Sequence, residues 1–261
     1  MRTGSVQAPP TPSSAKPTEA PPARAPRRAA GPIRRMLRTL STILIVAGML
    51  LILDAGMTVV WQEPLSALYA RFNQQALAGE LGHLENLTEL QLRALEQLRT
   101  ERRRIAFLAR ALRREAKTGD PIARIRAPRM GVDFVVVEGT SGATLRKGPG
   151  HYPDTAMPGL SGTVAVAGHR TTYQAPFRKL NQMRKGDPIV LQTPYGRFTY
   201  RTEARRIVAP TAYDYVTRRV GHDRLALTAC HPLYSAAQRI VVFARLVSVQ
   251  PLGRARVNPL L

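Results

Sequence analysis

A mainly β fold, a closed barrel of about eight strands with short helices, is what residues 118–261 of this 261-residue sequence predict, preceded by a transmembrane helix and a long helical stalk. Three observations carry that prediction. An apolar run occupies residues 40–60, a proline-free stretch rich in Leu, Ala, Glu, Gln and Arg fills 65–120, and from Pro121 short β-prone runs alternate with turn residues. The expected division is a basic tail over 1–39, the membrane helix over 40–61, the stalk or linker over 62–117 and the barrel over 118–261.

Residues 1–32 are rich in Pro, Ala, Ser and Thr and poor in large apolar side chains, so they cannot bury enough surface to offset the entropy of ordering. Disorder is expected there. Arg24, Arg27, Arg28, Arg34, Arg35 and Arg38 crowd toward the apolar run, where anionic membrane lipid is the natural partner. As a helix, residues 40–60 span about 31 Å, enough for a bilayer core. The arginines before the run, and the lack of Lys or Arg from Val59 until Arg71, place the N-terminus in the cytoplasm and the rest of the chain outside the cell membrane. Trp61 then falls at the outer interface, and Asp54 sits near enough to that end to reach water. A cleaved signal peptide is the competing reading. The long basic lead-in and the lack of a small-x-small site after the run disfavour it.

The stretch from Leu65 to Asp120 favours helix by composition, with a break at Gly79 and Gly82. Beyond it Leu87, Leu90, Ala94, Leu98, Ile105, Leu108 and Leu112 recur at spacings of three, four or seven, interrupted by Glu101. One long amphipathic helix is expected. It is a solvated stalk, or else a coiled coil that forms a stalk-mediated homodimer or packs on the barrel. The formal charge of +22 raises nucleic acid as a partner. No nucleic-acid motif accompanies it, aromatic residues are sparse, and the predicted topology puts most of the charge outside the cell.

Strands are expected at Ile122–Arg126, Phe134–Val137, Thr163–Ala167, Pro188–Gln192, Arg197–Arg206, Arg224–Thr228 and Arg239–Val249, with a helical turn near Ala143–Arg146 and a hairpin at Tyr195-Gly196. Closing them into a barrel removes exposed edges.

Cys230, the only cysteine, stands at the end of the run LALTAC. Alternation puts Leu225, Leu227 and Ala229 on one side of that strand and Ala226, Thr228 and Cys230 on the other. With the leucines in the core, Cys230 opens toward the turn His231-Pro232. A buried cysteine acting as a small hydrophobe is the alternative. His169 comes after the strand Thr163–Ala167 in the same way, and two strand-end residues can meet in space as a thiol and its base. Read alone, His169 is a loop histidine and Arg239 a surface charge on an edge strand. The nine-residue offset from Cys230 to Arg239 suits a strand, a loop and the head of a neighbouring strand. His151 and His222 are loop histidines that stay open as candidates; His83 lies in the stalk, and His231 points away from the cysteine. The acidic residues show no metal-ligand spacing, and one cysteine excludes cysteine-rich zinc sites and an internal disulfide. No metal site or cofactor is expected.

The segments LALTACHP, SAAQRIVV, AVAGHRTTYQAPF and HYPDTAMPG, in their order, resemble the sortases, most of all the class E sortases of actinobacteria, over residues 118–249. The family pattern Thr-Leu-x-Thr-Cys falls on Ala226, Leu227, Thr228, Ala229 and Cys230, so both threonine positions carry alanine. A backbone role there survives the change; a hydroxyl contact to substrate does not. The resemblance implies a sortase-type β-barrel and an enzyme, a cysteine transpeptidase. Cys230 is its nucleophile, His169 the proton donor to the leaving amine, and Arg239 the group that holds charge on the carbonyl oxygen. It implies cleavage between Thr and Gly of a Leu-Ala-x-Thr-Gly or Leu-Pro-x-Thr-Gly signal at the C-terminus of secreted proteins. A thioester on Cys230 then passes to an amine of the peptidoglycan precursor. Tyr152, Thr171, Thr172 and Tyr173 flank the expected site and, with Thr228 on the face of the cysteine, are candidates for substrate contact. A hydrolytic cysteine peptidase and a membrane-tethered binding module are the other classes. A pilus-polymerising sortase is the nearer rival, although Asp120-Pro121-Ile122 lacks the aromatic residue of the lid those enzymes carry.

Overall fold

The computed structural model describes residues 32–61, 64–81, 87–218 and 220–257. The tail through residue 31, the expected break at Gly82, and His83 lie outside the described residues, whereas Gly79, the other expected break, lies inside a continuous helix. The chain forms two compact units, residues 1–49 and 50–261. Helix α1 (Pro32–Trp61) contains the one candidate membrane span among the described residues, Pro32–Met57, with mean hydropathy 2.2. Its leucines and isoleucines, from Ile33 to Leu53, are exposed.

Within the larger unit the helices come first: α2 (Pro64–Leu81), α3 (Glu89–Glu96) and α4 (Glu101–Glu115). Eight strands come after them, β1 (Pro121–Ala127), β2 (Val132–Glu138), β3 (Gly150–His151), β4 (Thr163–Ala167), β5 (Pro188–Thr193), β6 (Gly196–Val208), β7 (Arg224–His231) and β8 (Gln238–Pro251), with α5 (Gly142–Lys147) after β2 and α6 (Asp214–Thr217) before β7. They close a barrel in the order β1-β2-β3-β4-β7-β8-β6-β5. The β5–β6 hairpin turns at Pro194-Tyr195, one residue from the expected point. Seven strands lie where the alternation puts them. The eighth, β3, is only two residues long and carries no readable period, yet it closes the barrel by pairing with β2 on one side and β4 on the other. His151, expected on a loop, is in β3 and buried. Its Nδ1 lies 2.8 Å from Glu138 Oε2, and its Nε2 meets the Thr155 hydroxyl and the Ala156 carbonyl, so it braces the barrel wall. His222 faces Glu203 at 3.4 Å.

The expected single helix after Gly82 is two. Thr88 opens α3 with a capping box to Gln91, and the Thr100 hydroxyl opens α4 by accepting the Arg103 amide proton. Between them the chain turns, held by Arg104 Nε on the Leu98 carbonyl. Glu101, an interruption in the apolar stripe, sits in the first turn of α4, where a carboxylate favours the helix dipole. Nor does α4 stand free as a stalk. Ile105, Leu108, Ala109 and Leu112 are buried in the same core as Ile125, Val164, Leu191, Phe198, Leu225 and Leu227. A Cβ on Gly159, whose φ is +94°, would come within 2.5 Å of Ile105 Cγ2. The α4 part of the stripe therefore packs on the barrel, the second of the two contacts expected of it, because that contact removes it from water, whereas Leu90 of α3 stays exposed. Helix α2 is also docked: Gln74 donates to the carbonyls of Val135 and Lys147 and accepts from the Val135 amide.

Candidate active site

Three adjacent strands bring the candidate residues together. β4 and β7 run parallel with Ala165 beside Ala226 and Ala167 beside Thr228, and the Gly168 amide still donates to the Thr228 carbonyl at 3.0 Å. His169 comes two residues after Ala167, and Cys230 two residues after its partner Thr228. β8 runs antiparallel to β7 and places Arg239 directly opposite Cys230. The thiol thus occupies the middle strand with Arg239 opposite it on β8, while His169 lies two residues beyond the end of β4. Leu225, Leu227 and Ala229 point into the core as the alternation requires, while Ala226 belongs to a second cluster on the outer face, under Val216 of α6 and Tyr152. Cys230 is half-buried at the open end of that face.

A cavity of about 350 Å³ at the thiol is lined by Arg170, Thr171, Thr172, Cys230, Pro232, Tyr234, Ser235 and Ala236. Thr171 and Thr172 are therefore placed to meet a ligand. Tyr152 and Thr228 are bonded to one another, hydroxyl to hydroxyl at 2.9 Å, and stand outside that lining. Tyr173 packs on the ring of His169, with centroids 5.3 Å apart, and the Arg146 guanidinium lies 5.9 Å from the Tyr173 ring centroid. Arg239 directs Nη1 at the carbonyls of Ala236 and Gln238, 3.0 Å each, at the rim.

The loop after His169 is tightly determined. A Cβ on Gly168 would approach the buried Phe177 ring to 2.6 Å, and the Phe177 amide donates to the His169 carbonyl at 2.9 Å. Tyr173, Gln174 and Ala175 have φ of 50°, 61° and 41°, a left-handed run that costs non-glycine residues roughly 1–2 kcal/mol each. Contacts from outside the loop hold it, among them the Ser66 hydroxyl of α2, which accepts the Tyr173 amide at 3.3 Å. Burial, and then the nearby Arg146 charge, push the His169 imidazole below its ordinary value. The neutral ring is thereby favoured in the folded state.

That lowered affinity makes stability depend on pH with a definite sign. Because the folded state binds the His169 proton less readily than the unfolded state, stability is full above the unfolded value of about 6.5 and falls as the pH drops through the lowered folded value. His169→Gln is expected to lose less melting temperature than the parent between neutral and mildly acidic pH. Parallel thermal scans across that range check it, and identical slopes would refute it.

Arg170, adjacent to His169, does not stand out in the sequence as a site residue. Its side chain is 4% exposed, and its Nη atoms bond the Cys230 carbonyl (3.2 Å), His231 Nδ1 (3.4 Å), the Arg178 carbonyl (3.2 Å) and Asn181 Oδ1 (3.0 Å). A sequence signal for it exists. No Asp or Glu occurs from Thr155 to Gly186 or from Arg224 to the last residue, so the segments that build the site carry only positive charge.

Residues 125–247 match the sortase domain family. Sortase D of Bacillus subtilis is 31% identical over 135 residues, covering 51% of this chain and 67% of that protein. Sortase SrtE1 of Streptomyces coelicolor is 29% identical over 157 residues, covering 54% of this chain and 45% of that protein, so the chain spans about half the length of this relative. Among solved structures, the SrtF sortase from Corynebacterium diphtheriae is 28% identical and superposes with a TM-score of 0.50 over 53% of this chain and 90% of that one. The closed barrel and these matches define the class as the sortase-type cysteine transpeptidases. The chain belongs to the sortase family.

Proposed function

We propose that this chain is a single-pass membrane enzyme, N-terminus in the cytoplasm and barrel outside, that joins secreted proteins to the cell wall. Residues 1–39 form the cytoplasmic tail, 40–61 the span, 62–117 the helical connection and 118–261 the catalytic domain. What supports this reading is the β7–β8 register, which pairs Cys230 with Arg239, together with the parallel β4–β7 pairing, which ends two residues short of both His169 and Cys230. The substrate is a Leu-Ala-x-Thr-Gly or Leu-Pro-x-Thr-Gly signal, with Thr171 and Thr172 along its path.

The neutral imidazole of His169 takes the proton of the Cys230 thiol as sulfur attacks the threonine carbonyl carbon. Charge gathers on the carbonyl oxygen, where the Arg239 N–H groups not bound to its own loop stabilise it. His169 then returns the proton to the glycine nitrogen, the C–N bond breaks, and a thioester joins threonine to Cys230. An amine of the peptidoglycan precursor attacks the thioester carbonyl carbon and loses a proton to His169; the C–S bond breaks, and His169 returns that proton to sulfur, which restores the thiol. Ala229, buried in the core, keeps only a backbone part here.

Intact mass of the full-length chain in detergent tests the reading. With either signal peptide the expected result is an added acyl mass, replaced by ligated product when a glycine-based amine is present. Cleavage with no amine incorporated would make the chain a hydrolytic peptidase. No adduct with either peptide would point to a binding module. The full chain is required because α4 forms part of the core.

A further inference from the structure

Arg170 carries a buried positive charge with no carboxylate in its four bonds and none available from the segments around it. Burying a guanidinium in that state is costly even with both Nη atoms bonded, and its Nε is buried without a hydrogen-bond partner. Its bonds have a pattern. One nitrogen, Nη1, reaches the Cys230 carbonyl and the His231 ring on β7; the other, Nη2, reaches the Arg178 carbonyl and the Asn181 side chain, beyond the left-handed turn after His169. The residue that carries this fork is itself the neighbour of His169 and continues from β4. The planar fork thus ties three segments at one point: the end of β4, the end of β7 and the returning loop.

We propose that Arg170 is a positioning residue for acyl transfer, locking the strand end that bears Cys230 to the turn that bears His169 and keeping a permanent positive charge beside the thiol. This rests on the transpeptidase reading for its turnover arm only. Arg170 also lines the cavity at the thiol, but all four of its bonds go to protein groups, and through them it positions Cys230 and His169. The other charged or titratable groups around the thiol are His169 and Arg178 on the loop, His231 on β7, Tyr234 beyond it and Arg239 on β8, and Arg170 is the buried cation among them. Burial, and then the Arg178 charge, lower the proton affinity of the Arg170 guanidinium, with a smaller opposing pull from Cys230.

The experiment compares full-length parent, Arg170→Lys, Arg170→Gln and Asn181→Leu in detergent. Two rates are read: alkylation of the only cysteine by iodoacetamide at neutral pH, and amine-dependent turnover of the signal peptide. In Arg170→Gln, turnover kcat is expected to fall by about 10²-fold, the scale of a small misplacement of reacting groups, with KM little changed, and alkylation is expected to slow. Arg170→Lys restores the charge without the fork, so alkylation recovers while kcat stays low. Asn181→Leu removes one anchor and is expected to lower kcat by about tenfold with alkylation unchanged. A folded Arg170→Gln chain with parental kcat and alkylation would overturn the proposal. Should that variant fail to fold, parental kcat in both Arg170→Lys and Asn181→Leu would overturn it equally. Alkylation needs no signal peptide, so slow alkylation in Arg170→Gln beside an inert parent would sink the transpeptidase reading and uphold the role of Arg170.

Discussion

Replacing Cys230 by alanine is expected to remove every trace of acyl adduct and ligated product while leaving the barrel folded. The side chain is half-buried at a strand end, and trimming one sulfur there should change stability by about 1 kcal/mol or less. The chemical loss has no comparable limit. Thr171, Thr172 and Ser235 also line the cavity, but an alcohol is a far weaker nucleophile at neutral pH than a thiol among positive charges. Intact mass after incubation with peptide, with circular dichroism as the control for folding, decides the matter. An adduct that persists in a folded Cys230→Ala chain would transfer the nucleophile to one of those hydroxyls.

His169→Ala is expected to lower turnover by about 10²–10⁴-fold, the usual contribution of a positioned acid–base group. The pH profile should change with it. In the parent, attack needs the neutral ring, and burial together with Arg146 lowers the ring's affinity for protons. The acid limb of the turnover profile should therefore lie below the ordinary imidazole value of about 6.5, and it should be missing from His169→Ala. Near-parental turnover in that variant would rule His169 out. His231 would not be a ready substitute, since its Nδ1 already faces the Arg170 guanidinium.

Much of this arrangement is legible in the sequence, and for local reasons. Alternation of side chains along seven strands is a property of each strand alone, so the runs and their faces can be read without the partner strands. The same alternation turns Cys230 away from the core, and the runs LALTAC and TVAVA both end in turns, which leave the strand-end side chains accessible. The failures are equally specific. β3 has two residues and exists only because β2 and β4 leave a gap between them. The break between α3 and α4 depends on Thr100 serving as a cap, a role that a threonine within a helix-prone stretch does not announce. The apolar stripe of α4 reads the same whether it meets water, a second helix or a barrel; only the position of Gly159 and the core around it settles the contact.

The sequence by itself determined a helix of membrane length, a β domain after Pro121, and a thiol, an imidazole and a guanidinium at three strand termini. Periodicity and composition are carried by neighbouring residues, and these features need nothing else. The tertiary structure alone decided that α4 covers the barrel, that β3 closes it, that Tyr152 and Thr228 satisfy each other, and that Arg170 fastens the site. Each of those rests on contacts whose geometry the linear order does not encode. The Arg170 bonds show why: two span 60 and 61 residues, and the other two, at 8 and 11 residues, require the chain to double back through a left-handed turn that no residue in it favours.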